Sequence, residues 1–313
     1  MTSTTASKPR RPDFFILGAP KCGTTSLAAW LGAHPSVFMP AVKEPHFFNT
    51  DDRQGVASLA AYQRLFDKAR DTHAAIGEAS VWYLSSAVAV ANILRWQPQA
   101  RFIVMLRNPV EMAPALHAEM VLGGHENVRD FRAAWDLQDR RRRGEHLPAF
   151  SWAQRRLLYG EVCSLGAQLE RLLAAVPAGR VLTILLDDLA RVPRGEYLRV
   201  LRFLDLPDDG RAVFPVHNRA RMARRPGLTR ALFVAGEIKN RLGIQLRWGV
   251  WDRVAAANET VRPRPLPSPD TIALLRRHFA DDVALLGTLL ERDLRHWLDP
   301  EAHAPCPRKH ALV

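Results

Sequence analysis

The sequence predicts an α/β fold, a three-layer sandwich in which helices cover both faces of a mostly parallel central sheet. Short apolar runs of strand length alternate with longer segments of helical periodicity through most of the 313 residues. The chain is also 47% hydrophobic and 24% charged, which is ordinary for a folded protein with a substantial core. Strands and helices in alternation favour parallel strands joined by helical crossovers.

The elements can be justified in chain order. DFFILG (13–18) is a short apolar run closed by Gly-Ala-Pro, which predicts a buried strand. TTSLAAWLGAHP (24–35) follows and predicts a helix that stops near Pro35. Further strands are predicted at 74–78, 101–109 and 180–189, and further helices at 165–177, 227–242 and 270–297. The Pro-rich stretch 263–269 is interpreted as a loop.

We expect one domain over residues 13–298, a disordered N-terminal tail over 1–12 and a flexible C-terminal tail over 299–313. No apolar run approaches the 18 residues of a membrane-spanning helix, and the polar N-terminus lacks the apolar stretch of a secretory signal. Three widely spaced cysteines match neither a disulfide framework nor a zinc site. These observations predict a cytoplasmic protein without membrane insertion. They leave its oligomeric state open.

The net charge of +12 would attract anionic ligands. A nucleic-acid-binding protein is therefore an alternative, and it would bind any polynucleotide with strong salt dependence. The run Arg140 to Arg143 has no interleaved aromatic residues that could stack on bases. It closes a helical, polar stretch, so a solvated helix face is the favoured interpretation and no nucleic-acid partner is expected.

The segment GAPKCGTTS (18–26) joins the first predicted strand to the first predicted helix. Backbone N–H groups and the helix dipole converge on an anion at such a turn, and Thr24, Thr25 and Ser26 add hydroxyl donors. A nucleoside-triphosphate P-loop has its lysine directly after the second glycine. Here Thr24 follows Gly23 and the lysine is Lys21, inside the loop.

A second difference concerns the metal. The predicted strand 101–109 ends in Arg107 and Asn108, where a P-loop NTPase commonly has the aspartate that helps to hold Mg²⁺. Without a metal, lysine and arginine must neutralise the anion themselves. This pattern suits a donor in which a phosphate is bonded to a sulfate, with Lys21 near the bridging oxygen.

FFILGAPKCGTTSLAAWL (14–31) resembles the 5′-phosphosulfate loop of the sulfotransferases that use 3′-phosphoadenosine 5′-phosphosulfate. A final helix with Asp293 and Trp297 also fits. Four more segments agree in order and spacing: KEPHFF (43–48), GEASVWYL (77–84), RFIVMLRNPVEMA (101–113) and RVLTILLDDLARVPRGEYLRVLRFLDLP (180–207). The resemblance covers roughly residues 12 to 298 and is nearest to the heparan-sulfate-type and related bacterial enzymes.

The resemblance implies roles for individual residues. Lys21 would act at the leaving phosphate, and Arg107 would grip the 3′-phosphate of the nucleotide through its planar fork. The residues implied to hold the 5′-phosphosulfate with Lys21 are Cys22, Gly23, Thr24, Thr25 and Ser26. The family pattern R-[DN]-P-x-x-R-x-x-S starts here at Arg107. Met112 stands at the position of its second arginine, and Ala115 stands at the position of its serine. We expect an arginine of HNRARMARRP (217–226) to compensate, with Arg221, Arg224 and Arg225 as candidates; the alternative is a low affinity for the donor.

The resemblance also implies Glu44 as the general base for an acceptor hydroxyl, with His46 two residues on and on the same side. His117 is the alternative base. Glu78, Ser80 and His117 are expected to shape the acceptor cleft. The predicted reaction moves a sulfuryl group to a hydroxyl of a carbohydrate or other small molecule, and no metal is required.

Two alternatives keep the same fold. One is a nucleotide or small-molecule kinase that uses ATP and Mg²⁺, which the lysine position and the missing aspartate disfavour. The other is a degenerate homologue that binds nucleotide without catalysis. Ala79 and Asn49 stand where the heparan enzymes often have a lysine and an aspartate, which argues against assuming a glycosaminoglycan acceptor.

Overall fold

The computed structural model describes residues 10–52, 55–149, 154–217, 221–241, 257–261 and 266–299. They form two compact units. The first comprises the chain up to Arg107 together with Leu172–His217, and the second comprises Asn108–Arg171 together with the described residues beyond His217. No helix among the described residues combines the length and the apolar character that a membrane span requires.

The first unit is built on a five-stranded sheet in the order β2-β3-β1-β4-β5. Its strands are β1 (Phe14–Gly18), β2 (Val37–Phe38), β3 (Ala75–Ala79), β4 (Arg101–Leu106) and β5 (Val181–Leu185). Every pair in this sheet is parallel, and every residue of β1 and β3 is buried. Strands covered on both faces read as continuous apolar runs, which is why the sequence revealed them. The predicted α/β class with a parallel central sheet is confirmed.

The helices in chain order are α1 (Thr24–Gly32), α2 (Leu59–Arg64), α3 (Ala89–Trp96), α4 (Pro109–Leu122), α5 (Phe131–Asp136), α6 (Gln138–Arg142), α7 (Tyr159–Cys163), α8 (Leu165–Ala175), α9 (Leu186–Arg191), α10 (Pro193–Phe203), α11 (Pro226–Arg241) and α12 (Pro269–Leu289). An antiparallel pair, β6 (Arg221–Ala223) and β7 (Glu259–Val261), belongs to the second unit. Because the five strands of the main sheet are parallel, their carboxyl ends share one edge. The chain after β1, β3 and β4 therefore leaves the sheet on the same side.

The second unit contains a buried ion pair that the sequence did not predict. Arg141 donates from Nη1 and Nη2 to the two oxygens of Glu126, at 2.7 and 2.8 Å, and neither side chain is exposed. Tyr159 donates a further hydrogen bond of 2.7 Å to the same carboxylate. The prediction of a solvated face for Arg140 to Arg143 is therefore wrong at Arg141. Its neighbours in that run are exposed and pair with acidic side chains.

Several predicted elements end earlier than expected, and for two of them the cause is visible. The strand predicted at 180–189 stops at Leu185, and α9 begins at Leu186, where Asp187 and Asp188 occupy the first helical turn and favour a helix N-terminus. The helix predicted at 270–297 ends at Leu289. Glu291 has φ 50°, and the N–H of Arg292 bonds back to the carbonyl of Gly287, the pattern of a left-handed helix stop.

The predicted tails are only partly described. Residues 1–9 and 300–313 lie outside the described residues, as do 263–265 of the predicted loop. Arg10 and Arg11 contact the first unit through the backbone carbonyls of Arg70 and Trp96, at 2.9 and 3.1 Å. The single domain over 13–298 stays a prediction.

Candidate functional site

The loop between β1 and α1 is anchored by two close approaches of its backbone. The N–H of Ala19 donates to the carbonyl of Met105 on β4 at 2.7 Å. Gly18 has φ +127°, and a Cβ placed on it would lie 2.3 Å from the carbonyl oxygen of Val81. Only glycine fits there, because a side chain would collide with backbone that cannot move aside. The chain therefore turns sharply as it leaves the sheet.

Helix α1 presents an uncapped N-terminus at the end of this loop. Gly23 is the N-cap residue, with φ +86°; it has no side chain to cap the helix, and the first turn contains no acidic residue. The first N–H groups of a helix have no carbonyl partner within it, and the helix dipole adds partial positive charge there. The loop and the first turn can therefore bind an anion such as a phosphate.

Lys21 and Arg107 meet at this loop. Arg107 follows β4 directly, and its Nη1 donates to the carbonyl oxygen of Lys21 at 3.2 Å. Lys21 is half-buried and has φ 63°, a left-handed conformation that a lysine rarely adopts. The guanidinium of Arg107 thus lies against the backbone of Lys21, and both residues were predicted for the donor site.

The hydroxyl and thiol groups of the loop differ in what they offer a ligand. Burial raises the pKa of Cys22 to about 12, against smaller opposite effects of Arg107 and Lys21, so the thiol is neutral. It lies 3.4 Å from the carbonyl of Pro20. Ser26 is buried, and its Oγ accepts a hydrogen bond of 3.0 Å from the N–H of His217. Thr24 is buried and Thr25 half-buried, at the start of α1.

Glu44 lies beside the carboxyl end of β3, because its N–H donates to the carbonyl of Ala79 at 3.0 Å. Its Oε2 is 3.2 Å from Nε2 of His46, and its Oε1 contacts the ammonium of Lys43. Burial alone would raise the pKa of Glu44, but the hydrogen bond from His46 and the charge of Lys43 outweigh it and lower the pKa to about 2. Glu44 is thus a carboxylate at any ordinary pH.

The expected proximity of Glu44 and His46 is observed, although the backbone between them is not extended. Their φ angles are 62° and 49°. Six non-glycine residues of the described chain have positive φ, and three of them are Lys21, Glu44 and His46. Sparsely populated backbone conformations persist where the surrounding structure enforces them, and they cluster at functional sites.

Glu78 and Ser80 are both fully buried and face each other. The carboxylate of Glu78 accepts hydrogen bonds from Ser80 Oγ at 2.6 Å, Tyr62 OH at 2.8 Å and Tyr83 OH at 3.1 Å. Burial raises the pKa of Glu78 to about 7, more than these hydroxyl groups lower it. Neither side chain is open to an acceptor in this conformation, in contrast to the expectation that they line the acceptor cleft.

Tyr62 and the part that Tyr83 plays were not predicted from the sequence. Tyr83 and Glu78 belong to the same motif segment, GEASVWYL (77–84), and this shared motif was a signal that the two residues act together. Tyr62 lies on α2 and is fully buried, and no local pattern distinguishes it from an ordinary core tyrosine.

Two further buried polar groups lie in the segment that follows Glu44. Nδ1 of His46 and both side-chain polar atoms of Asn49 are buried, and within the described residues they have no hydrogen-bond partner. Buried polar groups are nearly always paired with protein, water or ligand. These atoms could therefore bind a water molecule or an acceptor hydroxyl.

The remaining candidates belong to the second unit. His117 is buried against Phe131 and Tyr159, with Nε2 2.9 Å from the carbonyl of Val128. Burial lowers its pKa, and these contacts are those of a packed histidine. Arg221 lies in β6, and Arg224 is exposed directly after that strand. The roles proposed for these residues stay predictions.

Comparison with known proteins identifies the family. Residues 11–220 match the model of the sulfotransferase domain. A solved sulfotransferase from Alicyclobacillus acidocaldarius is 28% identical, with a TM-score of 0.68, covering 92% of this chain and 99% of that one. Human carbohydrate sulfotransferase 15 is 35% identical over 144 residues, covering 32% of this chain and 26% of the relative.

Human heparan sulfate glucosamine 3-O-sulfotransferase 6 is 32% identical over 197 residues, covering 63% of this chain and 53% of the relative. The chain thus spans about half of this curated relative and about a quarter of carbohydrate sulfotransferase 15. The family match covers well over half of the chain and confirms the resemblance drawn from the five motifs. The chain belongs to the sulfotransferase domain family.

Proposed function

We propose that this protein is a sulfotransferase that moves a sulfuryl group from 3′-phosphoadenosine 5′-phosphosulfate to a hydroxyl of a carbohydrate or other small molecule. The observation that best supports this proposal is the arrangement of charged and polar groups at one edge of the main sheet. A cationic loop with an uncapped helix N-terminus follows β1, and a hydrogen-bonded Glu44–His46 pair lies beside the end of β3. The matched relatives named above as carbohydrate and heparan sulfate enzymes support a carbohydrate acceptor.

The loop fits the phosphosulfate part of the donor. The first turn of α1 offers backbone N–H groups, and Lys21 adds a positive charge in the loop that leads into it. The bound donor would supply the sulfuryl group, and no metal takes part in this proposal. Lys21 would stabilise the negative charge that develops on the departing phosphate, and Arg107 would bind the nucleotide 3′-phosphate.

Glu44 would take the proton of the acceptor hydroxyl. A carboxylate whose pKa is about 2 is always ionised but is a weak base, since general bases work best when their pKa lies near the working pH. The contacts of Lys43 and His46 lower the pKa of Glu44. An acceptor that displaces Lys43 would therefore raise it and make Glu44 a stronger base.

The first experiment is a thermal-shift titration with 3′,5′-adenosine bisphosphate and with ADP, each with and without Mg²⁺. A ligand that binds only the folded state raises the melting temperature as it saturates. We expect stabilisation by the bisphosphate that does not depend on Mg²⁺. A preference for ADP with Mg²⁺ would favour the kinase.

The second experiment measures turnover, as release of the bisphosphate from the donor in the presence of desulfated heparan sulfate, chondroitin or neutral oligosaccharides. Bisphosphate binding without turnover would favour the degenerate homologue.

Lys21→Ala tests the loop, with Lys68→Ala as the control because Lys68 is an exposed lysine of the same unit. Removing a group that stabilises developing charge lowers kcat by about 10²–10³-fold. We expect such a loss for Lys21→Ala and none for Lys68→Ala. Equal turnover by the two variants would contradict the proposed role of Lys21. The cytoplasmic location expected from the sequence stays a prediction.

A further inference from the structure

Glu78 is a buried carboxylate whose partners in the described chain are three neutral hydroxyl groups. It lies on β3, opposite Phe15 of β1, and is fully buried. A buried charge is costly unless it is hydrogen-bonded, so a carboxylate retained at this depth calls for a reason. The backbone groups that bond to two of these hydroxyl groups, those of Ser80 and Tyr83, supply that reason.

Each hydroxyl that donates to Glu78 keeps lone pairs that can accept. Ser80 Oγ accepts a hydrogen bond of 3.1 Å from the N–H of His46. Tyr83 OH accepts from the N–H groups of Phe47 and Phe48, at 3.0 and 3.3 Å. Glu78 accepts a hydrogen bond from each of these two hydroxyl groups. Their lone pairs are therefore free to accept from three consecutive backbone N–H groups, those of residues 46 to 48.

This relay acts on the segment that carries the proposed general base. His46 is the first of the three residues, and Glu44 precedes it by two positions. Both have left-handed backbone, which is held only where neighbouring contacts enforce it. Pro45 lies between Glu44 and His46, and its carbonyl accepts a further hydrogen bond of 2.8 Å from the N–H of Val56.

We infer that Glu78 is a positioning residue for sulfuryl transfer: through Ser80 and Tyr83 it fixes the backbone that places Glu44 against His46. The inference rests on the proposed function, because it assigns Glu78 to the support of that same site. Glu78 itself is fully buried and so would touch neither donor nor acceptor in this conformation. A shift of a catalytic group by about 1 Å can cost about 10²-fold in rate, so loss of such support is measurable.

Tyr62 provides a matched control within the same cluster. Its hydroxyl donates to the same oxygen of Glu78 as that of Tyr83 does. Within the described residues, however, no backbone N–H of the 46–48 segment bonds to it. Its ring stacks on Phe47 at 4.6 Å, and Tyr62→Phe keeps that ring. Tyr62→Phe and Tyr83→Phe therefore both remove one donor to Glu78, and only the second cuts the link to the segment.

The test compares these two variants in two measurements. The first is amide hydrogen exchange at Phe47 and Phe48. Loss of a shared hydrogen-bond acceptor should speed exchange there about 10-fold in Tyr83→Phe and leave Tyr62→Phe near wild type. The second is kinetic. We expect kcat for transfer to desulfated heparan sulfate to fall about 10-fold or more in Tyr83→Phe, with the dissociation constant of 3′,5′-adenosine bisphosphate unchanged.

Two results would overturn the inference: equal exchange in the two variants, or equal kcat. If Tyr83→Phe does not fold, Ser80→Ala replaces it, with exchange read at His46. A wild-type protein that neither binds the bisphosphate nor turns over donor would instead refute the proposed function. Exchange would then still decide whether the hydroxyl of Tyr83 holds the backbone of Phe47 and Phe48.

Discussion

We predict that Glu78 contributes to the pH dependence of the protein's stability and that Glu78→Gln removes this contribution. Burial is the main cause that raises the pKa of Glu78 from 4.5 to about 7, and the charge of Glu44 adds to it. The folded protein thus binds this proton more tightly than the unfolded chain does. The resulting stabilisation is fully present below pH 4.5 and is lost as the pH rises through about 7. The difference between the two pKa values corresponds to about 3 kcal/mol.

Equilibrium unfolding by denaturant at several pH values between 4.5 and 8 measures this contribution. Glutamine is neutral throughout, so the free energy of unfolding of wild type relative to Glu78→Gln should fall by about 3 kcal/mol across that range. Asp13 also has a raised pKa, of about 6, but it titrates in both proteins and cancels from the difference. Glu145→Gln, at an exposed position, should show no such trend. A difference that is flat across the range would refute the reasoning.

Two further predictions follow from the contacts. Glu44→Gln should lower kcat by about 10²–10⁴-fold, the range for loss of a general base, while bisphosphate affinity is retained; an active Glu44→Gln variant would show that another group takes the proton. Arg141→Met leaves the carboxylate of Glu126 buried without its cation and should lower the free energy of unfolding by about 3–5 kcal/mol. The exposed Arg140→Met should stay within about 0.5 kcal/mol of wild type by denaturant unfolding. Equal destabilisation by the two arginine variants would contradict the burial of Arg141.

The parts of the fold that were predictable are those whose signal is local. The runs FFILG and RFIVML are apolar because β1 and β4 are covered on both faces, and their length separates them from helices. The turn after β1 needs a glycine at Gly18, where a side chain would meet backbone, and another at the left-handed Gly23. Sequence therefore located the loop and four of the five strands of the main sheet, and it missed the two-residue strand β2.

The parts that were not predictable depend on partners distant in sequence. Arg141 looks like its exposed neighbours, and only Glu126, 15 residues before it, makes its burial favourable. Tyr62 reaches Glu78 from another element of the chain. Glu78 was expected from the family resemblance to shape the acceptor cleft, and no local pattern shows that its carboxyl group is buried against three hydroxyl groups.

The contacts of Glu44 show why its surroundings matter as much as its identity. Lys43 and His46 hold the carboxylate in place, and the same contacts lower its pKa to about 2. While both contacts persist, the groups that hold Glu44 in place therefore also make it a weaker base. The relay from Glu78 acts on the backbone and not on the carboxylate, so it can keep Glu44 in position after Lys43 has been displaced. An acceptor hydroxyl that takes the place of Lys43 would then meet a base that has gained strength without losing its geometry. If only the Lys43 contact held Glu44, displacement of Lys43 would make Glu44 a stronger base but would also release it from its position.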